Sequence, residues 1–150
     1  MPAHMSVAAL IRRPHDGAIF LQRRRPDARV LAGAWDVVGG KVEPRESITQ
    51  ALEREVWEET GWTIDTILSE LEPRAYQLSG REWTEFCFLI DVLGSLSAPQ
   101  LEFDRYVEHQ WFASQDELYC VDSDNTALGH GSYIHAIATE ALAVSKAVGR

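Results

Sequence analysis

The chain has 150 residues, of which 45% are apolar and 25% are charged, and its formal net charge is −9 at pH 7. This length suits one core, so we expect residues 1–150 to form a single domain. No apolar run approaches the ~18 residues of a membrane span. The acidic balance argues against sequence-independent binding to DNA or RNA, which depends on many basic side chains. We therefore expect a small-molecule partner, with neither a membrane nor a nucleic-acid polymer.

The start of the chain lacks the features of a signal peptide, because no basic region precedes its short apolar run and no clear cleavage site follows. Cys87, in a predicted strand, and Cys120, in a predicted loop, form no metal-ligand pattern and are expected to stay reduced. Both observations favour a cytoplasmic location. The sequence leaves the oligomeric state open, a homodimer included.

The predicted elements begin with two strands, at residues 5–12 and 18–23, joined by a turn at Pro14 to Gly17. A short strand at 35–38 is expected to close at the glycine pair 39–40. A helix is predicted over the following segment, Ile48–Thr60. Its start carries a capping-box pattern at Ser47 and Gln50, and Gly61 suits the position just past its end.

The second half of the chain continues the alternation. Further strands, rich in β-branched or aromatic residues, are predicted at 63–71, 83–93 and 107–112. Residues 114–118 open a short helix, and the alanine-rich segment 133–147 forms a longer one. Asp124 or Asn125 is interpreted as a helix cap. Strands with one central and one terminal helix indicate an α/β architecture, with helices on both faces of a mixed sheet.

The central helix carries acids on its apolar side. At 100° per residue, Glu55 and Glu59 lie within about 40° of each other, over the stripe that should be buried. Like charges at this spacing destabilise a helix, and partial burial adds a desolvation cost. A divalent cation would offset both, because carboxylates are hard ligands that suit Mg²⁺ or Mn²⁺. The alternative is an acid-rich face that is merely solvated.

Two further groups are candidates for contact with an anionic ligand that contains an aromatic ring. The basic patch Arg23, Arg24 and Arg25 is expected to turn at least one guanidinium toward phosphate, or else to lie in a solvated loop. Stacking on a base is open to three aromatic residues that are otherwise ordinary core residues, namely Trp35, Tyr76 and Trp83.

The spacing around the acids is more specific. From Gly40 the chain runs through five residues to Glu46 and through seven more to Arg54-Glu55-Val56-Trp57-Glu58-Glu59-Thr60-Gly61-Trp62. This segment resembles the Nudix box, G-x5-E-x7-R-E-U-x-E-E-x-G-U, where U is a bulky aliphatic residue. Its one departure is Trp62 at the last U, where a large apolar residue can still pack. Ahead of the box, Val37-Val38 stands where relatives often have Phe-Pro, which weakens any transfer of a subfamily's specificity.

The resemblance to Nudix hydrolases implies a Nudix-type α/β/α sandwich and hydrolysis of a diphosphate linkage that joins a nucleoside to another group. The residues implied to bind Mg²⁺ or Mn²⁺, with more than one ion, are Glu55, Glu58 and Glu59, together with a carbonyl of Gly39 or Gly40. Glu55 or Glu59 would also help to deprotonate the attacking water. Arg54 would orient Glu55, and Glu46 would support the geometry of the loop and helix.

The resemblance also implies one more acid outside the box, for which the candidates are Glu102, Asp104 and Glu108. Among substrates, a nucleoside triphosphate, oxidised or not, comes first because the chain is short. ADP-ribose, nucleotide sugars and dinucleoside polyphosphates stay open. A hypothesis from a different class is a non-catalytic regulatory module that binds a nucleotide.

Overall fold

A computed structural model describes residues 4–149. The elements in chain order are β1 (His4–Arg13), β2 (Ala18–Arg24), β3 (Trp35–Asp36), β4 (Val38–Lys41), α1 (Ile48–Thr60), β5 (Thr63–Glu70), β6 (Arg74–Leu78), β7 (Arg81–Leu93), β8 (Tyr106–Phe112), α2 (Gln115–Ala127) and α3 (Tyr133–Val148). None of these helices is long and apolar enough to cross a membrane.

Strand β1 is the hub of the sheet. One of its edges pairs in parallel with β7, and its other edge pairs first with β4, between Ser6 and Ala9, and then with β2, at Arg12 and Arg13. From β7 the sheet continues to β5 and β6, and from β2 it continues to β3 and β8, all antiparallel. The sheet is therefore mixed, as predicted, and two half-sheets diverge from β1.

The helices cover both faces of this sheet. Side chains alternate along a strand, so Val7, Ala9 and Ile11 of β1 pack with α1, while Ala8 and Leu10 pack with α2 and α3. Burial on both faces explains why β1 reads as a continuous apolar run rather than an alternating one. The predicted sandwich of helices around a mixed sheet is confirmed.

Helix α1 has the predicted ends. Ser47 Oγ accepts a hydrogen bond from Gln50 N at 3.0 Å, and Gln50 Oε1 accepts one from Ser47 N at 2.9 Å, which completes the capping box. Gly61 follows the helix at φ 76°, a conformation that favours glycine. These two ends set which helix face points inward, and Glu55 and Glu59 are among its buried residues.

The strand predicted at 35–38 is wrong in one respect, because it is two strands. Residues 35–36 form β3 and pair with β2, whereas β4 begins at Val38 and pairs with β1. The glycine pair does not close a strand but lies inside β4. The missing side chain at Gly39 explains this, since a Cβ there would lie 2.0 Å from Val7 O on β1.

Two other differences involve β6 and α2. The sequence does not predict β6, because its side chains alternate between half-buried and exposed without an apolar run. Helix α2 extends well past the predicted short helix, so the loop predicted at Cys120 is wrong and this thiol is exposed on α2. The caps predicted at Asp124 and Asn125 are also wrong. Both lie inside α2. The side chain of Asn125 accepts a hydrogen bond from Trp35 N at 2.9 Å and donates one to Trp35 O at 3.1 Å.

Candidate active site

The site begins where α1 meets β4. A Cβ on Gly40 would lie 2.2 Å from Glu55 Oε2. The carboxylate of Glu55 therefore occupies the space that any other residue at position 40 would fill. This close approach brings an acid of the helix against the backbone of the strand.

Arg54 connects this carboxylate to the loop that precedes the helix. Its Nε and Nη2 donate to the two carboxylate oxygens of Glu46 at 2.7 and 2.9 Å, and its Nη1 donates to Glu55 Oε2 at 3.0 Å. Nη2 also donates to Lys41 O on β4 at 3.1 Å. The hydrogen bonds to Glu46, followed by those to Glu55, raise the pKa of Arg54. One guanidinium thus holds the loop, the strand and the helix acid in a single arrangement.

Glu59 lies one turn further along and is fully buried. Its Oε1 accepts hydrogen bonds from Gln22 Nε2 at 2.7 Å and from Gly39 N at 3.3 Å, while its Oε2 is buried without a hydrogen-bond partner among the described residues. Burial, followed by the charge of Glu55, raises the pKa of Glu59 well above its ordinary value. Sequence reasoning missed Gln22. The available signal was a lone amide in an otherwise apolar part of β2.

These groups fit a hard divalent cation. Glu55 and Glu59 supply carboxylate oxygens, and the unpartnered Oε2 of Glu59 is an acceptor that a cation would satisfy. Glu58 is more exposed, and its Oε1 accepts a hydrogen bond at 3.2 Å from the same Arg54 Nη1 that binds Glu55. Among residues 4–149, no three His, Cys, Asp or Glu side chains are grouped closely enough to hold an ion. The roles of Glu55, Glu58 and Glu59 as ligands stay predictions.

The structure separates the three acids proposed outside the box. Glu102 is partly buried, and its Oε1 has no hydrogen-bond partner in the described chain, although Arg105 Nη1 lies 3.5 Å away. Burial raises the pKa of Glu102 most, and the charges of the α1 acids add to the effect. Asp104 and Glu108 are exposed. Burial and this influence of the α1 acids distinguish Glu102 from the other two candidates.

A cavity of about 920 Å³ adjoins Glu55 and Gly40. Its walls come from both half-sheets and from α2 and α3. The polar and charged side chains on these walls include Ser6, Arg24, Asp36, Glu85, Arg105 and Tyr133. Strands β4 and β2 pair with successive parts of the same edge of β1, so the two half-sheets separate there. The cavity lies at this separation, beside the acids of α1.

Of the three clustered arginines, Arg24 lines this cavity, with its Nη1 3.4 Å from Asp36 Oδ2. Arg23 instead donates to Gly33 O at 2.9 Å, and Arg25 pairs with Asp27 at 2.9 Å in an exposed loop. Sequence reasoning missed Arg105, which also lines the cavity. It follows Glu102 and Asp104 in the sequence, and no other basic residue is adjacent to it, so no basic cluster was predicted there.

The aromatic candidates also separate. Trp35 is 3% exposed and belongs to the core. Tyr76 lines the cavity and stacks on Trp83, with ring centroids 6.2 Å apart.

Glu85 is a buried acid on the cavity wall that sequence reasoning also missed, because it sits in a strand of mostly aromatic and aliphatic residues. It is 9% exposed, and its Oε1 and Oε2 accept hydrogen bonds from Tyr133 Oη at 3.0 Å and Ser6 Oγ at 3.3 Å. Burial, and then the charge of Asp36, raise the pKa of Glu85 to about 7.

Comparison with known proteins identifies this arrangement. The family model described as "NUDIX domain" matches residues 2–135. The chain belongs to the Nudix family. Two solved structures share the fold over nearly the whole chain. A MutT protein from Methanosarcina mazei Go1 has a TM-score of 0.72 and 28% identity, covering 97% of this chain and 96% of that one. The E. coli ORF135 protein has a TM-score of 0.70 and 28% identity, covering 98% and 94%. The predicted Nudix-type fold is confirmed.

Curated relatives of this Nudix chain match over shorter stretches. A CTP pyrophosphohydrolase of Escherichia coli K12 is 54% identical over 76 residues, which is 50% of this chain and 53% of the relative. Nucleoside triphosphatase NudI of the same strain is 42% identical over 59 residues, 39% of this chain and 40% of the relative. The chain therefore matches about half or less of the length of these relatives.

We expect the two glycines of the Nudix box region to respond differently to alanine. At position 39 the new Cβ would meet a backbone oxygen of β1, whereas at position 40 it would meet the end of the Glu55 side chain, which can turn away. Gly39→Ala should lower the free energy of unfolding by about 2–3 kcal/mol, and Gly40→Ala by less than about 1 kcal/mol. Urea denaturation followed by circular dichroism measures both. The reverse order would contradict the placement of Glu55 against β4.

We expect Glu85 to make the stability of the fold depend on pH. Its pKa is raised from 4.5 to about 7, so the folded state favours the protonated acid. The resulting stability is complete below pH 4.5 and is lost as the pH rises through about 7. The wild type should therefore lose stability between pH 5 and pH 8 that Glu85→Gln keeps. The free energy of unfolding of Glu85→Gln, minus that of the wild type, should be about 2–3 kcal/mol larger at pH 8 than at pH 5.

Urea denaturation at the two pH values measures this difference. Glu82→Gln, at an exposed position of the same strand, is the control and should shift the curve equally at both. A Glu85→Gln curve that stays parallel to wild type would show that no buried charge forms at this position.

Proposed function

We propose that this protein is a metal-dependent pyrophosphohydrolase that cleaves a nucleoside triphosphate, oxidised or not, to a nucleoside monophosphate and pyrophosphate. The observation that carries the proposal is the buried pair Glu55 and Glu59, one oxygen of which has no partner in the described chain, beside a cavity of about 920 Å³. That volume is in the range of small-molecule sites, roughly 300–1,000 Å³. The CTP pyrophosphohydrolase and the nucleoside triphosphatase among the relatives support this substrate class.

The cofactor in this proposal is Mg²⁺ or Mn²⁺, with more than one ion. Glu55 and Glu59 would hold it, with Glu58 and a carbonyl of the glycine pair as further ligands. Such ions supply charge neutralisation for the phosphates and lower the pKa of the attacking water. The contributions of the chain itself are positional. Arg54 fixes Glu55, and Gln22 fixes one oxygen of Glu59, so that its other oxygen stays available.

Two basic side chains on the cavity wall suit a polyphosphate. Arg24 and Arg105 line the wall and would attract the phosphates, although Asp36 lies 3.4 Å from Arg24 and offsets part of its charge. Arg23 and Arg25, predicted from sequence as further phosphate ligands, are engaged elsewhere, so we assign the substrate contact to Arg24. Glu102 is proposed as the acid outside the box, because it is the partly buried one of the three candidates and the charges of Glu58 and Glu55 act on its carboxyl.

The alternatives from the sequence are not favoured by any contact within residues 4–149. They are the cleavage of ADP-ribose or of a nucleotide sugar, and a non-catalytic module that binds a nucleotide. A single catalytic domain in the cytoplasm is part of our proposal, and a homodimer stays an open prediction.

One assay separates these functions. The purified protein is incubated with Mg²⁺ or Mn²⁺ and each of the common nucleoside triphosphates, ADP-ribose and a nucleotide sugar, and ³¹P NMR identifies the products. The proposal expects pyrophosphate from a triphosphate. Hydrolysis of ADP-ribose or the sugar alone would support the alternative substrates, and binding without hydrolysis would support the regulatory module.

We expect Glu55→Gln and Glu59→Gln each to lower kcat with Mg²⁺ by about 10²-fold or more, because each removes a carboxylate from the proposed metal site. Glu53→Gln is the matched control, since Glu53 is exposed on the same helix. It should keep the wild-type rate. Circular dichroism confirms that the variants fold. Near-normal turnover of the folded Glu55 and Glu59 variants would refute the assignment.

We expect Glu102→Gln to lower kcat by about tenfold, because it removes the charge of the proposed outer acid. Asp104→Asn and Glu108→Gln are changes of the same kind at exposed positions and should have much smaller effects. Steady-state kinetics on the substrate found above make the comparison. If Asp104→Asn or Glu108→Gln has the larger effect, the outer acid lies there instead.

A further inference from the structure

One wall of the cavity carries a connected set of polar side chains that the proposed chemistry at α1 does not use. Tyr76 Oη donates to Ser6 Oγ at 3.1 Å, Ser6 Oγ donates to Glu85 Oε2 at 3.3 Å, and Tyr133 Oη donates to Glu85 Oε1 at 3.0 Å. These four residues come from β1, β6, β7 and α3, and all of them line the cavity. Glu85 is the point at which the hydrogen bonds converge.

The burial of Glu85 destabilises the folded state. Burying a carboxylate costs free energy unless a cation or several hydrogen bonds compensate. No ion pair in the described chain includes Glu85, and Arg74, its partner residue across the β6–β7 pair, binds Glu140 instead at 2.9 Å. The next residues of β7 on the same face, Cys87 and Leu89, are core residues. The two hydrogen bonds from Ser6 and Tyr133 offset only part of the cost of burial, so a ligand is a further reason for the acid.

The hydrogen-bonding capacity of Glu85 indicates what the ligand offers. Each carboxylate oxygen can accept two hydrogen bonds, and each accepts one in this structure. The carboxylate therefore retains one free acceptor position on each oxygen. Guanine presents two adjacent N–H donors, N1–H and the 2-amino group. Adenine and cytosine instead present one donor beside an acceptor, and hypoxanthine lacks the 2-amino group. Two N–H donors also favour the charged form of the carboxyl and oppose the effect of burial.

The backbone of Glu85 lies within the length of a nucleotide of β4, the strand that meets the acids of α1. Lys41 on β4 and Glu85 on β7 are both register partners of Ser6, on opposite edges of β1. Their backbones are therefore two strand spacings apart, about 10 Å. Gly40, which contacts Glu55, is the neighbour of Lys41. A nucleotide with its phosphates beside Gly40 would extend its ribose and base over about this length, toward Glu85.

We propose that Glu85 is a specificity-determining residue that accepts hydrogen bonds from two adjacent N–H groups of the substrate's base, so that a guanine nucleotide is preferred over the matching hypoxanthine nucleotide. This inference rests on the proposed function. Tyr133 and Ser6 hold the carboxylate in position, and Tyr76 holds Ser6.

The test compares GTP with ITP, which differ only in the 2-amino group. Wild type should hydrolyse GTP with a kcat/KM about 10–100-fold above that for ITP. In Glu85→Gln the amide offers one acceptor and one donor, and the donor would face an N–H group. The ratio should therefore fall to within about threefold of one. Glu82→Gln, exposed on the same strand, is the control and should keep the wild-type ratio.

The wild-type ratio needs no variant, so a value near one overturns the proposal even if Glu85→Gln fails to fold. If Glu85→Gln does not fold, Tyr133→Phe replaces it. This variant removes one hydroxyl that holds Glu85 and should lower the GTP-to-ITP ratio in part. An unchanged ratio in a folded Glu85→Gln, or hydrolysis confined to CTP or UTP, also overturns it and leaves the proposed function intact.

A failure of the proposed function is recognised separately, because no nucleoside triphosphate would then be hydrolysed. Calorimetric binding of GMP and IMP makes the same base comparison without catalysis. Tighter binding of GMP by wild type, lost in Glu85→Gln, supports the role of Glu85. Equal binding of GMP and IMP contradicts it.

Discussion

The close approach of helix α1 to strand β4 is the contact on which the rest of the site depends. It exists because Gly40 has no side chain, so that the carboxylate of Glu55 occupies the position a Cβ would take. Placing acids there works against folding, since Glu55 and Glu59 are both buried and repel each other. Arg54 compensates the first acid and Gln22 the second, but one oxygen of Glu59 keeps no partner in the described chain. A divalent cation would give this oxygen a partner and would reduce the repulsion between the two carboxylates.

The same sheet that anchors α1 also opens the cavity. Strand β1 pairs with β4 at Ser6–Ala9 and with β2 only from Arg12 onward, so the two half-sheets part along one edge of β1. Helices α2 and α3 close the opening from the other face, and the amide of Asn125 ties α2 to the backbone at Trp35. The cavity is thus a consequence of topology rather than of missing side chains. Its position beside Glu55 brings a wall built from other elements next to the acidic helix.

The sequence predicts those parts of the structure that depend on local rules. Ser47, Gln50 and Gly61 are signals within one helix, and α1 has the bounds they indicate. The box was recognised from its spacing for the same reason. Contacts between distant segments carry no such signal. Gln22 meets Glu59 across 37 positions and Ser6 meets Glu85 across 79, and neither pair could be read from a pattern. Strand β6 and the length of α2 were missed because tertiary contacts, such as that of Asn125, outweigh their weak local preferences.

The contrast between local signals and long-range contacts also distinguishes the proposed catalytic residues from the residues proposed to bind the base. The acids of α1 must keep fixed offsets to share one helix face, so their spacing survives as a motif. The residues that read a base need only converge on the cavity, and Ser6, Glu85 and Tyr133 come from three different elements with no required spacing. The acids can therefore be found from the sequence, whereas the residues of the wall are found only from the structure. In this chain the buried Glu85 is the informative residue, because it lines the cavity and has no ion-pair partner in the described chain.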